Sequence, residues 1–173
     1  MAKKKIVIKV GFPKEKQIIY PQKVRDVIDA KGNHKMIFKN GGQTVAEVAT
    51  WNEKGTKHIP SRPFFSTAIN ENKDKIKEMV AEAIRNKHDK TLYDKIGISI
   101  VNMVKDSIVN GNWVPNSERT KIEALPPSLR KAWDAGKKDS AMYQKAKEAI
   151  ENKKPLIDRG IMLKSVSYVI SEE

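Results

Sequence analysis

The sequence predicts an α+β fold in which a small, mainly antiparallel sheet is covered by a pair of amphipathic helices. Two short segments, one near each end of the chain, alternate β-branched and other residues as strands do. Between them, two long segments repeat apolar residues at spacings of three and four, which is the period of one helix face. A further region is rich in charged residues and poor in apolar ones, so we expect it to form a charged helical appendage.

The first predicted strand covers residues 5–12, which are rich in β-branched residues. Ile6, Ile8 and Val10 fall on one face of it, so this face is expected to pack on a core. Residues 34–39 are a second candidate strand, closed by the turn-forming sequence Asn-Gly-Gly.

A short helix is predicted from Thr44, because Thr44 and Glu47 have the spacing of a capping box. Gly55 is placed to end this helix. The helix therefore delivers Trp51 and its neighbours to a loop.

That loop, from Trp51 to Phe65, reads WNEKGTKHIPSRPFF, and its chemistry is that of recognition. Pro60 and Pro63 bracket Arg62, so the backbone is largely fixed before the next helix begins. Aromatic and arginine side chains on a rigid loop are the residue types in which interfaces concentrate binding energy.

The helix pair follows the loop. Ser66 is the predicted N-cap of the first helix, and the polar break at residues 86–89 turns the chain back into the second, so the two helices are expected to be antiparallel. Gly97 lies inside the second helix at a cost of about 1 kcal/mol relative to alanine. We therefore expect close packing there against another backbone.

The charged appendage is assigned to residues 117–152, as a helical insertion or arm. After the appendage, the sequence predicts a turn from Lys154 to Gly160 and a strand from Ser165 to Ser171. The natural partner of this strand in a sheet is the N-terminal strand.

Composition leaves several partner classes open. The net charge of +13 is compatible with nucleic acid, an acidic protein or an anionic surface, and basic residues occur along the whole length. The absence of cysteine excludes disulfides and thiolate metal sites. No apolar run has the length needed to span a bilayer, so no membrane contact is expected.

No catalytic, cofactor or metal site is predicted. The three histidines, His34, His58 and His88, lie in different segments without the spacing of metal ligands. The sequence has no glycine-rich phosphate loop, no nucleophile elbow and no pair of carboxylates in an apolar setting. We therefore expect that the protein is not an enzyme.

Two motifs resemble the tailed-bacteriophage family of virion morphogenesis and tail-completion proteins, including those of Mu-like phages. The first runs from Asn52 through Arg62 to Phe64, and the second is the Pro-Leu-Ile-Asp-Arg-Gly sequence from Pro155 to Gly160. Arg159 stands where the family usually has threonine, and Lys54 stands where it usually has an aromatic residue. The resemblance covers most of residues 43–171.

The resemblance implies a single tail-completion-like domain over residues 1–173, with an α+β fold and no catalysis. It implies a structural neck protein or tail terminator that forms a ring, expected to be a hexamer, between the tail tube protein and the head connector or neck proteins. The resemblance also leaves room for a passing contact with DNA in the lumen. The expected location is the virion, and the host cytoplasm during assembly.

The residues expected at a subunit or partner interface come from both motifs, which are expected to lie close together within one subunit or across a subunit boundary. They are Trp51, Asn52, Glu53, Gly55, Thr56, Pro60, Arg62, Pro63, Phe64, Pro155, Leu156, Asp158 and Gly160. In the alternative interpretation, the aromatic residues and Leu156 fill the core, and Arg62 pairs with Glu53 in the same chain.

Two other functions stay open from the sequence. The charge of +13 leaves a basic DNA-binding or packaging-associated protein as the alternative. A small enzyme acting on an acidic polymer is a third hypothesis, for which the sequence supplies no catalytic residues.

Overall fold

The computed structural model describes residues 5–13, 19–20, 26–28, 34–36, 43–86, 90–157 and 160–173. Its strands are β1 (Ile6–Gly11), β2 (Ile19–Tyr20), β3 (Asp26–Ile28), β4 (His34–Met36), β5 (Gln43–Thr44) and β6 (Ser167–Glu172). Its helices are α1 (Val45–Lys54), α2 (Phe64–Glu71), α3 (Lys73–Arg85), α4 (Lys90–Asn110), α5 (Glu118–Glu123), α6 (Pro127–Asp134), α7 (Ala141–Glu151) and α8 (Ile161–Ser165). The predicted α+β class is confirmed.

The sheet joins the two ends of the chain, as predicted. Strand β1 pairs antiparallel with β6, and Ile8 lies opposite Ile170. Strand β6 begins two residues later than expected because Ser165 is the last residue of α8, where its hydroxyl donates to the carbonyl of Ile161 at 2.8 Å. The alternation of β1 is also confirmed, since Ile6, Ile8 and Val10 pack together against the helices.

The predicted helix pair is present, although its first member is two helices rather than one. Helix α2 ends at Glu71, and the side-chain amide of the C-cap residue Asn72 donates to the carbonyl of Ala68 at 2.9 Å. An asparagine that bonds the backbone in this way competes with the helix hydrogen bonds, and α3 starts afresh at the next residue. Together α2 and α3 run antiparallel to α4, because Ser107 near the end of α4 donates to the carbonyl of Phe64.

Two apolar clusters share α4 as their common wall. The first cluster joins α1, α2, α8 and the second half of α4, and its largest fully buried side chains are Val45, Phe64, Val104 and Ile108. The second joins α3, the first half of α4 and the sheet, around Ala83, Tyr93, Ile96 and Ile100. Helix α4 therefore holds the sheet together with α1, α2, α3 and α8.

Gly97 packs tightly, but its neighbour is an aromatic ring rather than the expected second backbone. A β-carbon at Gly97 would overlap the ring of Tyr168 on β6. The hydroxyl of Tyr168 donates to Asp94 at 2.9 Å, which keeps the ring across the helix surface. Glycine is required because the sheet lies directly on α4 at this point.

The strands between β1 and α1 form two antiparallel ladders. Strand β3 pairs with β4, and β2 pairs with β5. The candidate strand at residues 34–39 is confirmed for 34–36, and residues 37–39 lie outside the described residues.

The charged appendage packs on itself. Helices α5, α6 and α7 surround a small cluster of Leu125, Ala146 and Ile150, with Trp133 beside it. The ring of Trp133 stacks on Tyr143 with centroids 5.0 Å apart. The appendage is thus helical with a core of its own, and its description as an insertion or arm stays a prediction.

Gly97→Ala is expected to lower the free energy of unfolding by about 1–3 kcal/mol, since overpacking against Tyr168 outweighs the gain in helix propensity of about 1 kcal/mol. Urea denaturation followed by circular dichroism measures the change. Asn102→Ala, at an exposed position of the same helix, is the control and should change stability by less than about 0.5 kcal/mol. A Gly97→Ala variant as stable as the control would show that the sheet does not press on α4.

Candidate interaction site

Helix α1 positions the first motif, and the predicted capping box fixes its start. The backbone N–H of Thr44 donates to the Glu47 carboxylate at 2.7 Å, and the N–H of Glu47 donates to the Thr44 hydroxyl at 3.2 Å. These hydrogen bonds hold the pKa of Glu47 below its ordinary value. Trp51, Asn52 and Glu53 follow in the last turns of α1, which lead into the loop.

The loop after α1 folds back on the helix that precedes it. Gly55 ends α1 with φ 76°, and a β-carbon there would lie 2.9 Å from the backbone nitrogen of Ser61. The N–H of Arg62 donates to the carbonyl of Asn52 at 2.6 Å, and the Ser61 hydroxyl donates to the carbonyl of Glu53 at 2.8 Å. Glycine is needed at position 55 because the returning part of the loop passes so close.

Arg62 lies at the centre of the site. It is 2% exposed, and no other charged side chain in the described ranges is buried so deeply. Its Nε donates to the carbonyl of Val114 at 2.7 Å, its Nη1 to Asn52 Oδ1 at 2.9 Å and its Nη2 to Asn116 Oδ1 at 2.8 Å. Burial lowers the pKa of Arg62 from its ordinary value. The guanidinium therefore joins the loop to the segment that follows α4.

Asn116 extends this network to the second motif. While its Oδ1 accepts from Arg62, its Nδ2 donates to the carbonyl of Pro155 at 2.9 Å. Leu156, the next residue, is buried in the cluster that contains Phe64. The two motifs therefore lie together within one chain and share one hydrogen-bond network.

Glu53 has a separate role, and the pairing of Arg62 with Glu53 is not the arrangement found. The Glu53 carboxylate accepts the backbone N–H groups of Phe65 and Ser66, each at 2.9 Å, and also the Ser66 hydroxyl. The prediction of Ser66 as the N-cap is wrong, since α2 begins at Phe64 and Ser66 lies in its first turn. The carboxylate does the capping from eleven residues before the helix, which local spacing does not reveal.

The predicted interface residues differ widely in exposure. Arg62, Phe64 and Leu156 are buried, whereas Trp51, Asn52, Glu53, Gly55, Pro155 and Gly160 are partly buried. Thr56, Pro60 and Pro63 are exposed, and Asp158 lies outside the described residues. The buried members hold the chain together, so the exposed ones are those that a partner can reach.

We call the exposed part of the loop the rim: Thr56, Lys57, His58, Pro60, Ser61 and Pro63. The rim is stiff because two of its residues are prolines and because Ser61 and the adjoining Arg62 are hydrogen-bonded to α1. Val114, whose carbonyl accepts from Arg62, is 53% exposed. The arrangement presents a preformed, partly apolar surface with a basic side chain.

Val114 and Asn116 are members of the site that the sequence does not predict. Their contacts with Arg62 span 52 and 54 residues of chain. The only local signal is an asparagine directly after a proline in a loop-rich passage. Nothing in that signal identifies the arginine as its partner.

Arg62→Ala is expected to lower the free energy of unfolding by about 1–3 kcal/mol, because partly buried oxygens of Asn52 and Asn116 lose their donor. Arg62→Lys should recover little, since an ammonium cannot reproduce the planar guanidinium contacts. Guanidinium chloride denaturation gives the values.

Arg119→Ala is the matched control for Arg62. The side chain of Arg119 is 88% exposed and pairs with Glu123 on the surface of α5, so its loss should cost less than about 0.5 kcal/mol. Equal effects at the two arginines would contradict the central role of Arg62.

The Glu47 cap predicts a pH dependence of stability. The folded state lowers the pKa of Glu47, so its ionised carboxylate stabilises the folded state fully when the pH is above 4.5, the ordinary pKa of glutamate. This stabilisation is lost as the pH falls through the lowered pKa of the folded state. The difference in thermal midpoint between the native protein and Glu47→Gln should therefore be largest above about pH 5 and shrink in more acidic solution. Glu78→Gln, on the exposed face of α3, is the control. A difference that does not change with pH would rule out the ionised cap.

The described residues offer neither a metal cluster nor a membrane span. No group of three or more histidine or acidic residues in the described ranges is arranged to hold a metal ion. None of the described helices combines the length and the apolar content that crossing a bilayer requires.

Comparison with protein-family models, curated proteins and solved structures finds no match to this chain.

Proposed function

We propose that the protein is a structural neck component of a tailed bacteriophage, which completes or terminates the tail and joins it to the head connector. The observation that carries the proposal is the chain of hydrogen bonds from Asn52 through Arg62 and Asn116 to Pro155. The two motifs that resemble the tail-completion family are far apart in sequence, and this network gives them one shared structural role.

The network also supports a binding role for the rim. Arg62 and the Glu53 carboxylate fix the loop from inside, so little conformational entropy is lost when the rim meets a partner. Prolines at positions 60 and 63 add to this stiffness. A rim that is rigid before docking suits a component that has to assemble in one geometry many times.

The proposed assembly is a ring, for which the resemblance implies six subunits. Each subunit of a ring uses two different surfaces, one toward each neighbour, and the rotation between them closes the circle. We assign the rim to one such contact or to the contact with the tail tube protein or a neck protein. The proposed location is the virion neck, reached from the host cytoplasm during assembly.

A non-catalytic role is supported by how the charged groups of the loop are used. The guanidinium of Arg62 is buried and bonded to three oxygens of its own chain, and the Glu53 carboxylate is bonded to the start of α2. These groups stabilise the loop and are not presented to a substrate. The loop therefore has the chemistry of a scaffold.

The proposal is tested on phage particles produced without the protein. Such particles should show unattached heads and tails, or tails of irregular length, in negative-stain electron microscopy. Native protein supplied from a plasmid should restore normal tails attached to heads. If particles made without the protein have tails of normal length that are firmly attached to heads, the proposed neck function is wrong.

The rim is tested separately with Lys57→Glu combined with His58→Glu. Both side chains are exposed, so the variant should melt within about 2 °C of the native protein, as surface changes usually do, yet fail to restore particles. Lys73→Glu combined with Lys75→Glu, on exposed positions of α3, is the matched control and should restore them. If the rim variant fully restores normal particles, the rim is not part of the interface. The neck function itself would then still be decided by the experiment on particles made without the protein.

A further inference from the structure

A groove crosses the surface of the appendage between α5 and α6. It encloses about 540 Å³, and Ile122 of α5 and Trp133 of α6 contribute its apolar lining. The Trp133 ring stacks on Tyr143 of α7, with the two ring planes 3° from parallel. Because Ile122 and Trp133 are only partly buried, the groove offers an indole ring that is already held in place.

The walls of the groove are charged, and most of these charges are paired. Arg119 Nε lies 2.9 Å from Glu123 Oε1 on α5. Arg130 Nε lies 3.2 Å from Asp134 Oδ2 on α6. Glu118 is the fifth charged residue of the lining, and it has no ion pair with another described residue. Three carboxylates against two guanidinium groups leave the groove with one negative charge in excess, although the whole chain carries +13.

The rim has the complementary chemistry. Lys57 is exposed, and the rim contains no acidic residue. Pro60 and Pro63 are also exposed, and they have the three-residue spacing of prolines in segments that dock on aromatic-lined grooves. A lysine ammonium is attracted both to a carboxylate and to the face of an indole ring. The groove therefore supplies the two features that such a segment binds, an aromatic floor and an unpaired carboxylate.

The rim and the groove are attached to the body at one junction. Arg62, within the loop that carries the rim, donates to Asn116, and α5 begins two residues after Asn116. Asn116 also donates to the carbonyl of Pro155, beyond the last helix of the appendage. Because the rim residues are exposed, they do not fill the groove of their own chain. Each copy of the chain thus presents both surfaces to other molecules.

We propose that the groove between α5 and α6 binds the rim of a second copy of this chain, with Lys57 meeting Glu118 and the prolines meeting Trp133. Charge complementarity selects this occupant. Two chains of +13 repel each other over most of their surfaces, so contact is favoured where an exposed lysine meets an unpaired carboxylate.

The inference rests on the proposed ring-forming function and names the surface that receives the rim. The rim and the groove are different surfaces, so a contact between them is heterologous when it is repeated from one copy to the next. Heterologous contacts are those from which closed rings are built.

The experiment measures self-association of the purified full-length protein by sedimentation velocity at several protein concentrations in 150 mM salt. At this ionic strength, repulsion between exposed charges is largely screened beyond about 8 Å, whereas a direct contact between two side chains persists. Two variants reverse one charge each, Lys57→Glu in the rim and Glu118→Lys in the groove. Their matched controls are Lys73→Glu on α3 and Glu148→Lys on α7, which make the same changes in charge at exposed positions outside both surfaces.

The native protein should self-associate. Lys57→Glu alone and Glu118→Lys alone should each associate at least about ten-fold more weakly, because like charges then face each other across the contact. Each control should change the association constant by less than about three-fold, as surface substitutions away from a contact usually do.

An equimolar mixture of Lys57→Glu and Glu118→Lys should recover most of the native association. In the mixture, the reversed rim of one variant meets the reversed groove of the other, and the native rim of the second meets the native groove of the first. Recovery on mixing therefore requires that the two positions meet between chains. A contact within one chain would give no recovery.

Circular dichroism checks that each variant is folded. If Glu118→Lys disturbs α5, the variant Glu118→Gln removes the charge without reversing it. It should still weaken self-association by about three-fold or more, and native-like association of this folded variant would count against the groove.

Three outcomes would overturn the proposal. The first is a native protein that stays monomeric at the highest concentration, and the second is native-like association of both charge-reversal variants. The third is a mixture that associates no better than its two components. Particles made without the protein test the neck function separately, so failure of the rim-to-groove contact leaves that function standing. Recovery on mixing would establish the contact even if those particles were normal.

Discussion

The structure around the first motif depends on one buried cation. The guanidinium of Arg62 meets three neutral oxygens from three parts of the chain, and each of these partly buried acceptors would lose its donor if the arginine were removed. None of these three acceptors carries a negative charge. Burying the guanidinium therefore costs free energy unless its hydrogen bonds are well formed. A planar guanidinium with five donors in a fixed geometry is suited to such a junction.

Two levels of organisation meet at this junction. Locally, the Thr44 and Glu47 cap, Gly55 and the Glu53 carboxylate fix α1, the turn after it and the start of α2. At the level of the whole fold, α4 contributes residues to the two apolar clusters beside it, and the chain that follows α4 contains Val114 and Asn116. Arg62 connects this local structure to the segment after α4, so the position of the rim is determined by the packing of α4 against the two apolar clusters. The loop is stiff because its supports come from distant segments.

What the sequence predicts well is what local patterns control. The capping box, the alternation in β1 and the periodicity of α4 each depend on residues a few positions apart, and the structure contains all three. What the sequence does not reveal depends on tertiary contact. Local spacing favours Ser66 as a cap over a carboxylate thirteen residues away, and Asn116 gives no sign of its arginine 54 residues away. The glycine at position 97 predicts tight packing, but only the pairing of β6 with β1 puts an aromatic ring there.

The hydrogen bond between Asn116 and Pro155 has a consequence for how this chain can vary. These two residues stand at the start and the end of the segment that contains α5, α6 and α7, and the bond brings both ends to one point on the body. The helices between these two residues have a small core of their own. Because the two ends of the segment are held together, we expect changes in its length to leave the path of the chain on either side unaltered. Sequence variation is therefore expected to concentrate between Asn116 and Pro155 rather than in the hydrogen-bond network around Arg62.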